Sequence, residues 1–340
     1  MEIGIGVFAD VRSNLNNAHP SAQRIPELME EMKLADDIGL DLFGVGEHHR
    51  SDYAVSAPNI ILAGAATITK NIKLASSVTV LSSADPVLLY EEFATIDLLS
   101  KGRAEMQVGR GSFIESFPLF GYRLEDYEVL FEEKLDLLLE INKGKAVTWK
   151  GTQRAPLNQQ EIYPKPFRAS GIPIWIAVGG TPSSVIRAAR LGLPLMVAII
   201  GGNPKQFKPL LDLYKRTYME SGHDISNMQI GIHAHTFIGD NTEQVAEDYF
   251  EPYANQMNRI GNDRGWPKYT KAQYDYGRSL EGHLLVGDAN LVTDKILLMK
   301  EMFGMTRFTA HIDVGGPDHL KTMRAIELLG KQVMPQIKKH

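Results

Sequence analysis

Eight short apolar segments alternate with amphipathic helical patterns along the whole chain, and this alternation limits the possible folds more than any other feature. Alternating strands and helices build parallel sheets whose strands are joined by helical crossovers. Eight such units predict an α/β protein with a (β/α)8 TIM barrel, and a doubly wound sheet is the alternative. The candidate strands are Ile3–Phe8, Leu42–Gly46, Lys73–Val80, Ala104–Val108, Ile174–Val178, Leu195–Ile200, Gln229–Ile238 and Arg307–Val314.

No linker or change of composition divides the chain, so we expect residues 1–340 to form one domain. Two stretches are longer than ordinary connections, and we predict them as insertions at the C-terminal face of the barrel: residues 144–171 and 257–282. Loops of this length usually act as lids or are disordered. The aromatic and charged residues of 257–282 favour a mobile lid that orders over the barrel mouth; a solvated or dimer-contacting excursion is the alternative.

The composition excludes several classes of protein. A net charge of −5 argues against binding to nucleic acid. The chain has no run of 18 apolar residues, so we predict no membrane-spanning helix and no membrane partner. Glu2 stands where a signal peptide would carry basic residues, and the chain has no cysteine for a disulfide. Both features fit a cytoplasmic protein.

Polar residues with chemical potential follow the second and fourth strands. Glu47, His48 and His49 come after the second strand, and Arg110 lies between two glycines at the end of the fourth. The C-terminal strand ends of a parallel barrel are where active sites lie. Arginine binds phosphate through two parallel hydrogen bonds, and flanking glycines let the backbone approach a ligand. Structural histidines and a solvated arginine are the alternative reading.

The fifth strand leads into a second candidate site for an anion. Gly179 and Gly180 leave the strand, and a helix begins around Thr181. Free N–H groups near Ser183 and Ser184, together with the positive end of the helix dipole, would attract a phosphate. The alternative is a well-capped helix without a ligand. The segment is not a G-x-G-x-x-G motif, and no P-loop lysine follows it.

His233 and His235 share one face of the seventh strand, which is a spacing typical of metal ligands. No matching set of inward Asp, Glu or His side chains stands out on the other strands. We therefore predict no metal site, and a metal-dependent barrel hydrolase that uses these two histidines remains an alternative.

Two sequence segments, together with Glu47–His49, resemble the bacterial luciferase-like, flavin-dependent monooxygenases. The segment SADPVLLYEEFATIDLLSKGRAEMQVGRG, residues 83–111, is similar to that family's signature of a polar-Pro-Val turn, an acidic helix, Ser-x-Gly-Arg and a Gly-Arg-Gly strand end. The segment YPKPFRASGIPIWIAVGG, residues 163–180, resembles the Pro-Lys-Pro run that leads into the family's fifth strand.

The resemblance implies that FMN or FMNH2 binds at the barrel mouth. By position, His48 would be the catalytic histidine with a pKa near neutrality, flanked by Glu47 and His49. The peptide bond between Ser77 and Val78 falls where the family often has a cis bond that bulges toward the flavin ring. The residues expected to hold the cofactor are Ser77, Val78, Arg110, Gly179, Gly180, Thr181, Ser183 and Ser184.

The implied activity is FMN-dependent monooxygenation of a small organic substrate, with O2 activated through a flavin hydroperoxide. A separate flavin reductase would supply FMNH2, and the resemblance also implies a homodimer. The apolar helix Pro86–Ser100, with Leu89 and Phe93, is our candidate for the dimer seam. The alternatives are a flavin carrier without turnover and a deazaflavin-dependent dehydrogenase. Nothing in the sequence indicates light emission.

Overall fold

The computed structural model describes residues 1–12, 19–111 and 113–339. The strands of this part of the chain are β1 Glu2–Val7, β2 Leu42–Val45, β3 Lys73–Ser76, β4 Thr79–Val80, β5 Ala104–Gly109, β6 Val147–Trp149, β7 Leu157–Gln160, β8 Ile174–Val178, β9 Leu195–Ala198, β10 Ile230–Ile238, β11 Leu285–Gly287 and β12 Arg307–His311. The α-helices are α1 Pro20–Asp37, α2 Pro58–Ile68, α3 Pro86–Ser100, α4 Ser116–Leu119, α5 Tyr127–Asn142, α6 Pro182–Arg190, α7 Lys208–Glu220, α8 Thr242–Arg264, α9 Lys271–Arg278, α10 Ala289–Phe303, α11 His319–Leu328 and α12 Met334–Lys339. Within these ranges, no helix is long and apolar enough to cross a membrane.

Eight strands close into a barrel in the order β1-β2-β3-β5-β8-β9-β10-β12, and β12 pairs with β1. Every pairing around this ring is parallel. The eight strands are the ones predicted, so the (β/α)8 barrel is confirmed. All the C-terminal strand ends therefore open at one mouth, and all the N-terminal ends form the opposite floor.

Residues of each strand alternate between the lumen and the surrounding helices. In β1, the side chains of Ile3 and Ile5 are fully buried in the main hydrophobic core. Gly6 faces the lumen, where an added Cβ would lie 2.8 Å from Cε1 of His233. The apolar side chains on the outer face of the strand thus pack against the helices. Glycine on the inner face leaves space in the barrel for larger polar side chains.

The strand predictions differ from the structure in two places. The predicted strand Lys73–Val80 is two strands, β3 and β4, which are separated by Ser77 and Val78. Two further features were not predicted: β11, and the antiparallel hairpin of β6 and β7 in the insertion 144–171. This insertion connects α5 to β8, and Arg168 near its end contacts Gly102 at the floor, so its predicted place at the C-terminal face is wrong. The missed strands have only three or four residues each, too few to show a clear periodicity.

The interpretation of 257–282 as a long loop is wrong, because most of this stretch is helical. The helix α8 continues to Arg264, and α9 follows with a capping box at Thr270 and Gln273. The C-terminal end of α8 reaches the rim of the barrel, where Asp263 accepts a hydrogen bond from Arg50 at 2.6 Å. Movement of this stretch over the mouth stays a prediction.

The candidate dimer seam on α3 needs correction at two residues. Leu89 and Phe93 are buried within their own chain, with 2% and 0% exposure, because α2 and α5 pack against α3. The apolar side chains that α3 leaves exposed are Leu88, Leu98 and Leu99. The dimer itself stays a prediction, and a seam on this helix would have to use the exposed set.

Candidate active site

A cavity of about 390 Å³ opens at the C-terminal mouth of the barrel. Nine of the eleven predicted site residues line it, and Gly180 and Ser183 do not. The nine are Glu47, His48, His49, Ser77, Val78, Arg110, Gly179, Thr181 and Ser184. The structure thus brings together residues from four separate strand ends, whereas the function of each residue stays a prediction.

Glu47 connects two strand ends at the mouth. One of its carboxylate oxygens lies 2.9 Å from Nε2 of His49, and the other accepts a hydrogen bond from the backbone N–H of Val80. Because β2 already ends at Val45, strand alternation no longer separates the neighbouring histidines, and both line the cavity. Glu47 therefore positions His49 and ties β2 to β4.

His48 is buried among aromatic rings at the back of the cavity. Its ring centroid lies 4.4 Å from that of Phe8 and 4.3 Å from that of Tyr53. Burial is the main cause that lowers the pKa of His48 to about 3, and the nearby His311 lowers it further. The expected pKa near neutrality is therefore wrong, and the imidazole is neutral at pH 7. Its Nε2 is buried and has no hydrogen-bond partner among the described residues.

The opposite side of the cavity forms a candidate anion site. Arg110 follows β5 and donates a hydrogen bond from Nη2 to the hydroxyl of Thr181 at 3.1 Å. It also donates from Nη1 to Glu128, and its guanidinium lies 5.1 Å from the centroid of the Tyr127 ring. The Thr181 side chain makes no capping bond to α6, because it faces Arg110 instead. Ser184 Oγ is buried and has no partner among the described residues.

The expected cis peptide between Ser77 and Val78 is present, at the point where β3 leaves the barrel wall. Glycines surround it on the neighbouring strands. An added Cβ at Gly44 would lie 2.8 Å from Cβ of Ser77, and one at Gly109 would lie 3.2 Å from Cγ2 of Val78. The small residues leave room for this turn to line the cavity.

A buried polar cluster that the sequence analysis missed lies behind the cavity. Nε2 of His233 lies 3.2 Å from Nδ1 of His311, and Nε2 of His311 lies 3.2 Å from Asp313. Asp313 also accepts a hydrogen bond from Arg24, at 3.2 Å. The signal for this cluster was available, because His311 and Asp313 lie two positions apart near the end of the eighth predicted strand. Phe8, which directly follows β1 and lines the cavity, was also missed, although it stands at the end of the first predicted strand.

The two histidines of the alternative metal hypothesis have protein partners instead. Nδ1 of His233 lies 3.1 Å from the Thr309 hydroxyl, and Nδ1 of His235 lies 3.0 Å from the hydroxyl of Tyr253.

Over the described ranges, three potential ligands meet only at Asp10, His311 and Asp313, where the Arg24 guanidinium already supplies a positive charge. The arrangement gives no support to a metal site built on His233 and His235.

Relatives of known sequence match over most of the chain. It is 24% identical to the uncharacterised protein y4vJ of Sinorhizobium fredii, over 94% of this chain and 93% of that protein. It is 26% identical to the alkanal monooxygenase alpha chain of Aliivibrio fischeri, over 72% of this chain and 71% of the relative.

Solved structures share the same barrel at low sequence identity. The monooxygenase RslO1 from Streptomyces bottropensis has a TM-score of 0.84 at 20% identity, covering 98% of this chain and 99% of its own. The oxygenating constituent of 3,6-diketocamphane monooxygenase from Pseudomonas putida, in complex with FMN, has a TM-score of 0.77 at 20% identity, with coverage of 99% and 98%. The coenzyme F420-dependent tetrahydromethanopterin reductase of Methanopyrus kandleri has a TM-score of 0.75 at 19% identity, with coverage of 99% and 100%.

A comparison with the sequence profiles of known families identifies the family of this chain. The sequence profile described as luciferase-like monooxygenase matches residues 1–306, which is most of the chain. The chain therefore belongs to the luciferase-like monooxygenase family.

Proposed function

We propose that this protein is an FMN-dependent monooxygenase that uses O2 and reduced flavin to oxidise a small organic substrate. The observation that carries the proposal is a single cavity with a candidate anion site on one side, at Arg110, and a buried imidazole on the other, at His48. Membership of the family supports an oxidoreductase, and the choice of FMN and of oxygenation is our proposal.

The cavity fits a flavin in size and in polarity. Its volume of about 390 Å³ lies within the usual range for small-molecule sites. Four of its lining residues have buried polar atoms without a partner among the described residues: His48, Gln107, Ser116 and Ser184. Buried polar groups are normally hydrogen-bonded, so unpartnered atoms around one cavity favour a polar ligand there. An added Cβ at Gly179 would meet nothing within 4 Å, which leaves space beside Arg110 for a ligand.

Each part of the site has a proposed task. The Arg110 guanidinium, the Thr181 hydroxyl and the Ser184 hydroxyl would bind the flavin phosphate. The aromatic side chains Phe8 and Phe113, which line the cavity, would exclude water from the reacting atoms. The neutral imidazole of His48 would offer Nε2 as a hydrogen-bond partner to the reacting atoms. When bound, reduced flavin supplies the electrons that activate O2.

Two relatives support FMN and oxygenation, because the P. putida structure holds FMN and the A. fischeri relative is an alkanal monooxygenase. We further propose that reduced flavin arrives from a separate reductase, as a second substrate. A second candidate function is a deazaflavin-dependent dehydrogenase, which is favoured by F420-dependent enzymes among the structures that share this fold.

A titration of the purified protein with FMN, FMNH2, riboflavin and F420 separates these functions. We expect FMNH2 to bind, and we expect an oxygenated product to form when FMNH2 and O2 are combined with one of a series of aldehydes, ketones and amines. Binding of F420 with substrate oxidation that needs no oxygen would replace the monooxygenase by the dehydrogenase. Flavin binding without turnover of any substrate would favour a carrier.

A further inference from the structure

We propose that Glu128 is a built-in competitor for the phosphate site, and that its carboxylate must leave Arg110 before a phosphate-bearing flavin can bind. The inference deepens the proposed function and rests on it. Glu128 lies in the first turn of α5, and its side chain is 55% exposed, so it is free to change position.

Glu128 occupies the main cation of the anion site. Among the described residues that line the cavity, Arg110 alone carries a permanent positive charge. Its two terminal nitrogens are both engaged, one with the Glu128 carboxylate and the other with the Thr181 hydroxyl. Because a carboxylate and a phosphate bind arginine through the same hydrogen bonds, Glu128 holds the place that a phosphate would take.

Glu128 satisfies only part of the anion site. Ser184 Oγ lines the same cavity, is buried, and has no partner among the described residues. A phosphate has three terminal oxygens, so it could engage Arg110, Ser184 and the free N–H groups of α6 together. Glu128, which is anchored on another helix, reaches only the arginine side. The Glu128 carboxylate therefore competes for the site without satisfying all of its hydrogen-bond donors.

Arg187 offers Glu128 a second position. Nη2 of Arg187, on α6, lies 3.6 Å from the other carboxylate oxygen of Glu128. The same guanidinium also pairs with Glu132, and its Nη1 is buried without a partner in the described part of the chain. When Glu128 leaves Arg110, it can therefore move onto Arg187 and stay paired.

Charge repulsion requires this movement. A flavin phosphate carries nearly two negative charges at neutral pH, and beside Arg110 it would face the Glu128 carboxylate at contact distance. The competition lowers the affinity for flavin phosphate and eases its release. Both effects suit a flavin that arrives and leaves with each turnover instead of remaining bound.

The variant Glu128→Gln tests the proposal, because it keeps the side-chain length and removes the charge. We expect the Kd for FMN, measured by fluorescence titration, to fall about five- to tenfold, since a half-exposed ion pair competes weakly. Riboflavin has no phosphate, so its Kd should not change. Glu140→Gln is the matched control, because it removes an exposed carboxylate from the same helix at its pair with Lys143, away from the site. An unchanged or higher Kd for FMN in Glu128→Gln would overturn the proposal.

Inorganic phosphate provides a readout that does not depend on flavin. We expect thermal stabilisation by phosphate to begin at a several-fold lower concentration in Glu128→Gln than in the wild type. If neither protein binds FMN but phosphate gives this shift, the proposed cofactor is wrong and the role of Glu128 stands. If phosphate stabilises the two proteins equally, or neither of them, the role of Glu128 is refuted.

The variant Arg187→Gln tests the second position. In the wild-type background it should raise the Kd for FMN about threefold, because Glu128 then loses its alternative partner. In the Glu128→Gln background it should have no effect. An equal loss of affinity in both backgrounds would mean that Arg187 binds the phosphate itself, and the proposed movement of Glu128 would fail.

Discussion

The floor and the mouth of the barrel are both rich in polar and charged groups, but the mouth leaves several buried polar atoms without a partner among the described residues. At the N-terminal strand ends, Arg307 donates hydrogen bonds to Glu2 at 2.7 Å and to Glu105 at 2.8 Å. Lys73 pairs with the same two carboxylates, and the Arg307 guanidinium lies 4.0 Å from the Trp175 ring centroid. Two acids and two bases thus neutralise one another.

The mouth has the opposite character. Around its cavity, His48, Gln107, Ser116 and Ser184 present buried polar atoms without partners among the described residues. A buried polar atom without a hydrogen-bond partner lowers the stability of the fold. Several such atoms around one cavity are therefore expected where a bound ligand supplies the missing hydrogen bonds. The difference between the two ends supports our proposal that polar groups at the mouth serve binding and chemistry, whereas those at the floor stabilise the barrel.

The largest effect should come from His48→Phe, at the mouth. The phenyl ring keeps the packing against Phe8 and Tyr53 and removes the unpartnered Nε2. We expect substrate oxidation to fall about 10²–10³-fold, the usual contribution of one hydrogen-bonding group at a reacting centre. The Kd for FMN should stay within about twofold, and the free energy of unfolding should not fall. Oxidation at the wild-type rate would remove His48 from the chemistry, and marked destabilisation would make it a structural residue.

Arg307→Met should show the converse behaviour at the floor. Breaking a buried ion pair typically costs about 3–5 kcal/mol, and we expect a loss near the lower end, about 3 kcal/mol, because Glu105 keeps its contact with Lys73. We expect chemical denaturation to report this loss, with FMN affinity per folded molecule unchanged. Selective loss of FMN binding at full stability would contradict the separation of the two ends.

Arg110→Ala should weaken binding at the mouth more than it weakens folding. Loss of a charged hydrogen bond is worth roughly 1.5–3 kcal/mol, or about ten- to a hundredfold in the Kd for FMN. Its partner Glu128 keeps Arg187 nearby, so we expect only a small change in the denaturation midpoint. An unchanged Kd for FMNH2 would reject the phosphate assignment.

Many residues of the mouth could be predicted, because the order of strands and helices along the chain shows which residues follow the C-terminal ends of the strands. Once eight parallel strands are recognised, Glu47–His49 and Arg110 must meet at one end of the barrel. The pKa of His48 was not predictable, because its burial comes from Phe8 and Tyr53, which belong to other segments. The contact of Glu128 with Arg110 was equally unpredictable, since acidic residues are common in the first turn of a helix even where no ligand binds.

Stretches without regular periodicity gave the weakest predictions. Residues 257–282 contain Gly261 and Gly265 and many charges, which favour a loop when they are considered locally. The contact of Asp263 with Arg50, more than two hundred positions earlier, joins the end of α8 to the rim. A partner at such a separation cannot be inferred from local pattern, and the same holds for Arg24 and Asp313.

The smallest expected effect tests whether a charged side chain near the mouth contributes to stability, and not to binding, when it has partners within the protein. His319 begins α11 near the mouth end, and it contacts Glu31 at 3.3 Å and Glu30 at 3.0 Å. The contact with Glu31 is the main cause that raises the pKa of His319 to about 9. Because this pKa is higher than in the unfolded chain, the pair stabilises the fold fully below about pH 6.5, and the effect disappears as the pH rises toward 9.

We therefore expect His319→Gln to lower the free energy of unfolding by about 1 kcal/mol at pH 6 and to have almost no effect at pH 9.5, since a partly exposed pair is screened by solvent. Urea denaturation of both proteins at the two pH values measures this, and FMN affinity should not change at either. A loss of FMN affinity would show that paired charges near the mouth also serve the site. A destabilisation that is equal at both pH values would mean that His319 acts through packing, because only its protonated form gains from Glu30 and Glu31.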